Sequence, residues 1–515
     1  MKKNKPNFIY ILGDDHRADN LGCAGHPVIK TPNIDAMAEH GVLFNNAFCT
    51  SPVCTPSRAS HLLSQWERRH GVNFNSRSAV SENAWRNSLP CVLRENGYFT
   101  GWVGKNHVPV GQGGYESGTF EKSFDYFYGN HSHSYFYVKE HPLNNIYSNS
   151  DYDTQVEVFE QGAMNFLQPD KKFLDSCISP LPERDVAKPF CLCVTFNLPH
   201  DCATLEMRLR PEDDELYKTA YRDRFMDFPL TATYRNSWTQ PPPKIPEEVY
   251  NRVQIPCYDY VRTPETMREH MVRIAQVVTA IDGMIGRLRV KLDELGFADN
   301  TVIIFSTDHG LLHGEYGMGG KNLLYEPAIR IPMVIYDPTL PQESRGRKIE
   351  KMVCVEDIAP TVLELAEIER PATYQGSSLL PLMKSGDCAG WRDSLFFEVN
   401  MDIQNYPRSD GIRTEHYKYI RYFKRQEDPA QKNLLFKGTL DDYKYCLNST
   451  IYFGEQSVYE ELYDLINDPF ETVNLADAPG YSEIKNQLGS HLIELGQKIK
   501  GGTQPPETVE YENIL

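Results

Sequence analysis

The chain has 515 residues, 40% of them hydrophobic and 24% charged, with a formal net charge of −17. That composition is globular and large enough for one extended core plus a smaller unit, while the negative balance excludes a general binder of nucleic acid or acidic membranes. No apolar run approaches the roughly 18 residues of a membrane span, and an anionic substrate would need a local cationic pocket. The twelve cysteines include no CxxC pair, so zinc-ribbon and thioredoxin-type readings fall away and most of them read as small buried hydrophobes.

In chain order, the basic start Met1-Lys2-Lys3-Asn4-Lys5-Pro6 runs straight into a strand over 8–12. That apolar stretch is too short for a signal core, so the chain reads as cytoplasmic as it stands, or as periplasmic or secreted where a leader has been trimmed. Residues 34–40, behind Thr31-Pro32 and before Gly41, read as a short helix. Further strands are expected over 99–103, 190–197, 302–306 and 333–336. Apolar residues at helical spacing from Met271 to Leu288 mark a long amphipathic helix over 266–295, and 358–368 reads as another. The polar, aromatic and proline-rich stretches 114–185 and 208–264 read as insertions over one face. Past Leu382 the pattern changes: 391–422 and 459–464 alternate like antiparallel strands, and 482–498 closes the chain as a helix. The expected fold is therefore α/β, a large mainly parallel sheet flanked by helices over 1–380. A smaller C-terminal α+β domain with an antiparallel sheet is expected over 381–515.

Asp14-Asp15, Lys105-Asn106-His107, His200 and Asp308-His309 each fall just past the C-terminal end of an expected strand, the edge at which open α/β sheets bind ligands. Any one of these aspartates alone would read as a cap or a solvent-facing group. Three carboxylates at one point need a cation among them, and oxygen donors favour Ca²⁺ or Mg²⁺ over zinc. Cys54 lies in Ser51-Pro52-Val53-Cys54-Thr55-Pro56-Ser57-Arg58. Pro56 suits a first helical turn, which puts Cys54 at a helix N-terminus, where an anion or nucleophile is favoured. Arg58 follows one turn on. An arbitrary cysteine is more often structural, but Cys-x-Pro-x-Arg would arise by accident only about 0.04 times in such a chain.

Taken together, Asp14-Asp15, Cys54-Thr55-Pro56-Ser57-Arg58, Gly104-Lys105-x-His107, Pro199-His200 and Thr307-Asp308-His309-Gly310 with Lys321 resemble the formylglycine-dependent sulfatases of the alkaline phosphatase superfamily. Leu462-Tyr463-Asp464-Leu465, Asp468-Pro469 and Asn474-Leu475 resemble that family's C-terminal signature. The resemblance implies an alkaline-phosphatase-like fold and a Cys54 oxidised by a formylglycine-generating maturation enzyme to Cα-formylglycine, whose hydrate is a geminal diol. It implies a divalent cation, usually calcium, held by Asp14, Asp15, Asp308, His309 and residue 54. Arg58 would steady the diol, Lys105 would bind a sulfate oxygen, His107 would contact the second hydroxyl, and His200 and Lys321 would face the leaving-group oxygen. A thiol attacking sulfur would leave a stable adduct, whereas a diol attacks with one hydroxyl and expels sulfate with the other. His309 is the softest of the metal assignments, since imidazole suits a hard cation less well.

The chain departs from the family pattern at Asn106, where an aromatic is common, at Ser64-Gln65-Trp66, and in the loose match of Leu312-His313-Gly314-Glu315-Tyr316-Gly317. These departures leave the catalytic groups intact and bear on the substrate subsite. Candidate substrate contacts are Asn106, His131, His133, Arg235 and His313, several of them beside tyrosines and a tryptophan in the insertions. Such a mixture suits a sugar ring, which has an apolar face and hydroxyl edges. The expected partner is thus a small-molecule or oligosaccharide sulfate ester. The alternatives are a phosphodiesterase or phosphonate monoester hydrolase of the same superfamily, and a non-catalytic glycan-binding relative.

Overall fold

The computed structural model describes residues 5–74, 76–131, 134–140, 145–168, 187–202, 207–236, 244–246, 249, 256–402, 406–424 and 439–511. Eight strands form one sheet: β1 (Asn7–Asp14), β2 (Val42–Phe44), β3 (Phe99–Lys105), β4 (Tyr126–Asn130), β5 (Phe190–Pro199), β6 (Thr301–Thr307), β7 (Met333–Tyr336) and β8 (Arg347–Ile349). Their order is β8-β2-β7-β6-β1-β5-β3-β4. β1 pairs in parallel with β5 and β6, β3 with β4 and β5, and β2 with β8. Only β7, among these strands, runs antiparallel to its neighbours. β1, β3, β5 and β6 are buried at every position, as a parallel sheet covered on both faces requires.

The period of two along β1 divides the core. Ile9 and Ile11 face one hydrophobic cluster and Phe8, Tyr10 and Leu12 the other. The first cluster takes in residues of α1 (Pro32–His40), Phe159 and Phe166, and the long helix that follows β5 in sequence. The second takes in Ala59 and Leu62 of α2 (Cys54–Leu63). α3 (Gln155–Leu167) supplies the two phenylalanines of the first cluster. α4 (Pro264–Glu294) is the expected amphipathic helix, started by a Thr263 side chain that accepts from Thr266 N with Pro264 in the first turn. Asp282, midway along α4, accepts from the N–H groups of Asn33 and Ile34 at 3.0 and 2.8 Å and so caps α1. α5 (Ile358–Leu365) lies on the second face and ends three residues before the expected limit.

All five expected strands are present. The stretch 114–185, read as an insertion, contains strand β4 and helix α3. β4 is five residues of Tyr126-Phe127-Tyr128-Gly129-Asn130, buried throughout, and such a short buried edge carries no alternation to read. Beyond residue 380, β9 (Ser394–Val399), β10 (Ser409–Thr414), β11 (Tyr417–Tyr422) and β12 (Tyr459–Asp464) form an antiparallel sheet in sequence order, and α6 (Ser482–Lys500) packs on it. Phe396, Ile412, Ile420 and Leu462 of that sheet belong to the same cluster as Leu12 and Leu62. A unit boundary near 380 is therefore our proposal for sequence organisation, across a shared core. No helix among the described residues is long and apolar enough to cross a membrane.

Glu67 is fully buried. Its carboxyl accepts from Ser51 Oγ at 2.5 Å, Asn73 Nδ2 at 2.5 Å and Tyr443 OH at 3.1 Å. Burial, followed by the Glu398 carboxylate, pushes it from the ordinary 4.5 up to about 8. The folded chain then holds a proton that the unfolded chain releases, so stability should fall as pH rises between 4.5 and about 8. Urea denaturation across that window should show the decline, and Glu67→Gln should flatten it; identical pH profiles for the two proteins would contradict this reading.

Candidate active site

The register of two parallel strands brings the carboxylates together. Gly13 of β1 lies opposite Thr307 of β6, so Asp14 and Asp308 emerge side by side, with Asp308 N donating to Gly13 O at 3.3 Å. Asp15 follows in the left-handed region with φ 63°, turning its side chain off the strand line. Cys54 is the first residue of α2, as Pro56 predicts, and the helix N-terminus faces these carboxylates. Ser57 Oγ anchors that first turn to the carbonyl of Asp308.

Cys54 Sγ lies 3.6 Å from Asp14 Oδ1, 3.3 Å from His309 Nε2 and 3.1 Å from Lys321 Nζ. Arg58 donates through Nε to Asp308 Oδ2 at 2.9 Å and through Nη2 to Asp14 Oδ2 at 3.0 Å. It also reaches the carbonyls of Lys105 and Phe196, at 3.2 and 2.9 Å. Lys105 Nζ is 2.5 Å from Asp14 Oδ2, and Lys321 Nζ is 2.9 Å from Asp15 Oδ1. His309 Nδ1 lies 3.0 Å from Asp15 Oδ1. His200 Nε2 lies 3.8 Å from Asp15 Oδ2, with a side chain 16% exposed, against 4% or less for the other ion-paired members. His200 therefore stands at the mouth.

Three carboxylates meet three cations here, so the balance that the sequence assigns to a metal is met in the chain itself by Arg58, Lys105 and Lys321. Burial works against ionising Asp14, but Lys105, Lys321 and Arg58 overcome it and hold the carboxyl well below its usual range. Asp15 is lowered in the same way, against burial, chiefly by Lys321 and His200. Asp308 is raised instead, by burial and by Asp14. Burial and Asp14 oppose ionising the Cys54 thiol, and Lys105, Lys321 and His309 outweigh them, so its pKa is lowered. Donor atoms of Asp14, Cys54, Asp308 and His309 lie within 4.8 Å of one another, as do those of Asp14, Asp15 and His200. Carboxylate oxygens predominate, and a residue 54 carrying oxygen in place of sulfur would make the set harder still. The donors fit an oxygen-preferring divalent ion.

The remaining candidates divide. His107, at φ 57°, is buried with its ring edge-on to Phe74 at 5.2 Å and stacked 6.1 Å from Tyr115. Asn106 and His131 meet each other, Nδ2 to Nδ1 at 2.9 Å, while Asn106 Oδ1 accepts from Val108 N and His131 Nε2 lies 2.5 Å from Glu121. Together they tie the end of β3 to the end of β4. Arg235 is exposed, its guanidinium 6.0 Å from the Tyr316 ring centre. His313 is buried edge-on to Tyr260 and His270. His133 lies outside the described residues. Arg17 and Glu315, to which the sequence assigns no role, pair at 2.6 Å and pin the loop after β6 to the turn after β1. Arg17, two residues past Asp15, was within reach of a motif argument; Glu315 carries no local signal.

A family model described as Sulfatase matches residues 6–368. The chain belongs to the sulfatase family. A second model, for the C-terminal part of N-sulphoglucosamine sulphohydrolase, matches residues 314–435. The sulfatase is 28% identical to an arylsulfatase of Clostridium perfringens, over 97% of this chain and 96% of that one. It is 25% identical to an N-acetylglucosamine-6-O-sulfatase of Bacteroides thetaiotaomicron, over 98% and 88%. Its fold matches a structure solved with its substrate D-glucosamine-2-N,6-O-disulfate, with a TM-score of 0.66, 23% identity and coverage of 97% and 99%. A phosphonate monoester hydrolase of Agrobacterium radiobacter shares the fold at the same TM-score of 0.66, with 21% identity and 96% coverage of both chains. The sulfatase is accordingly a sulfuric ester hydrolase with an alkaline-phosphatase-like fold.

Among the described residues, Arg58 alone is ion-paired to both Asp14 and Asp308 through its guanidinium. Arg58→Met should cost roughly 3–5 kcal/mol of stability, the usual penalty for unpairing a buried charge. Urea denaturation in the presence of a chelator measures it, and a variant as stable as the parent would refute the pairing.

Proposed function

We propose that this sulfatase hydrolyses a sulfate ester carried by a saccharide, through a formylglycine hydrate at position 54. The observation supporting this most strongly is the position of residue 54, at a helix N-terminus facing three carboxylates, three cations and His309. A formylglycine-generating enzyme would mature Cys54, lowering the intact mass by about 18 Da. Asp14, Asp15, Asp308, His309 and the diol would hold a divalent cation, and the carboxylate-rich donor set favours Ca²⁺, with Mg²⁺ second. When bound, the ion would neutralise charge and ease ionisation of a diol hydroxyl.

The chain's own side chains do the rest. Arg58, fixed by two carboxylates, steadies the diol. Lys105 and Lys321 give up part of their carboxylate pairing to the sulfate oxygens and stabilise the charge that moves across them during displacement. One hydroxyl attacks sulfur, the S–O bond to the alcohol breaks, and His200, at the mouth beside Asp15, protonates the departing oxygen. His107 takes the proton of the second hydroxyl, the C–O bond to sulfate breaks, and one water adds to the aldehyde so formed to restore the diol. Arg235, exposed beside Tyr316, is assigned to the departing saccharide, while Asn106 and His131 shape the β3–β4 rim.

Two relatives support the saccharide: one named for N-acetylglucosamine 6-sulfate and a fold neighbour solved with a glucosamine disulfate. The fold alone favours sulfur no more than phosphorus, and paired turnover of a sulfate and a phosphonate ester separates the two. The decisive assay is a panel of sulfated mono- and disaccharides beside nitrophenyl sulfate, with and without chelator. His200→Ala should lower turnover of a saccharide sulfate about 10²–10⁴-fold and that of nitrophenyl sulfate much less, because nitrophenolate leaves unaided. Turnover of nitrophenyl sulfate with none of any sugar would overturn the saccharide assignment.

A further inference from the structure

The His107 ring lies between aromatic neighbours, and one of them is buttressed by a strand remote in sequence. Tyr115 stacks on the imidazole at 6.1 Å with 17° between the planes, and Phe74 meets it edge-on at 5.2 Å. Tyr115 OH also donates to the carbonyl oxygen of His107 at 3.4 Å. Burial, and then Tyr511, holds that phenol protonated, well above its ordinary range, so it remains a donor. Tyr115 in turn meets the Tyr511 ring edge-on, with 6.0 Å between centres and 87° between planes, a geometry that aromatic pairs favour. With Ala79, the two tyrosines form a small buried cluster of their own.

A short strand, Thr508–Glu510, brings Tyr511 there by pairing antiparallel with Ser78–Val80. Val80 bridges on in parallel to Val110, with Val80 N donating to Pro109 O at 3.0 Å and Gly111 N to Val80 O at 2.8 Å. The ladder therefore ends on the segment that leaves His107. Gly114, at φ 57°, makes room for the ring: a methyl group there would stand 2.4 Å from Tyr511 Cδ2. From Gly501 to Tyr511, Tyr511 alone is buried. That stretch adds little to the general core, and the one side chain it buries is set against the ring that carries His107. His107 itself has φ 57°, a left-handed conformation that surrounding packing must hold in a non-glycine residue.

We propose that Tyr115 and Tyr511 are positioning residues for His107: the docked strand sets Tyr115, and Tyr115 sets the imidazole that takes the proton of the second diol hydroxyl. This rests on the catalytic role given to His107 above and adds the residues that orient it. Misplacing a reacting group by about 1 Å can cost about 10²-fold in rate. Only the release of sulfate passes through His107, so only that step should slow when the buttress is lost.

Rapid mixing of the matured full chain with nitrophenyl sulfate tests it. Nitrophenolate leaves in the first step without a proton, whereas release of sulfate needs His107. Tyr511→Ala should lower the steady rate about tenfold or more and leave a burst of about one nitrophenolate per active site. Tyr511→Phe, which keeps the ring, should restore the steady rate. A burst that shrinks in step with the steady rate reports only lost folded enzyme and overturns the proposal, as does an unchanged steady rate. Imidazole NMR of the full chain, with the His107 signal identified by its loss in His107→Gln, is a second readout that needs no turnover. Tyr511→Ala should shift that signal and Tyr511→Phe should leave it near its place; a signal indifferent to Tyr511→Ala overturns the proposal. A shifted signal in a protein whose parent turns over no sulfate ester upholds the positioning and sinks only the catalytic reading of His107.

Discussion

Arg58 bonds Asp14 and Asp308 together, and the rest of the site is arranged around that fork. The two carboxylates come from neighbouring parallel strands in fixed register, β1 and β6. The guanidinium comes from one turn inside α2, whose first residue is Cys54. Satisfying both carboxylates with one planar donor sets the helix N-terminus against the sheet edge and so fixes where residue 54 points. A lysine at 58 could hold one carboxylate firmly but not both in this geometry.

The same constraint explains why so much charge is tolerated without solvent. Lys105 and Lys321 supply the remaining positive charges, each from the end of a different segment. The net charge of −17 is spread over the whole chain, so a small convergent set of cations can still receive an anion where only that set is exposed to it. Carboxylates and cations here are interchangeable partners: an arriving divalent ion and an arriving sulfate would each take over part of the pairing that now links them. A site prepared in this way needs little rearrangement to accept either, which is the condition for electrostatic preorganisation.

Much of this was legible from residue types and spacing. Short apolar runs located β1, β3, β5 and β6, which are buried on both faces, and their C-terminal ends put Asp14, Lys105, His200 and Asp308 at one edge of the sheet. Pro56 placed the start of α2 at or just after Cys54, and the helix begins at Cys54 itself. β4 and α3 were hidden inside a stretch read as insertion, since an aromatic pentapeptide at a sheet edge lacks periodicity. Other pairings join residues remote in sequence: Asn106 is 25 residues from His131 and engages it, and Glu315 is 298 from Arg17. No local pattern encodes such pairs. Lys321 and Asp15 meet in the same way at 2.9 Å, across 306 residues.

The most direct test of the account is anomalous diffraction from crystals of the matured enzyme grown with calcium. The account predicts one dominant peak at roughly 2.3–2.6 Å from carboxylate oxygens of Asp14 and Asp308 and from an oxygen on residue 54, with Lys105 and Lys321 turned partly away from their carboxylates. A map with no ion among those groups, and with Lys105 still on Asp14 and Lys321 still on Asp15, would contradict it.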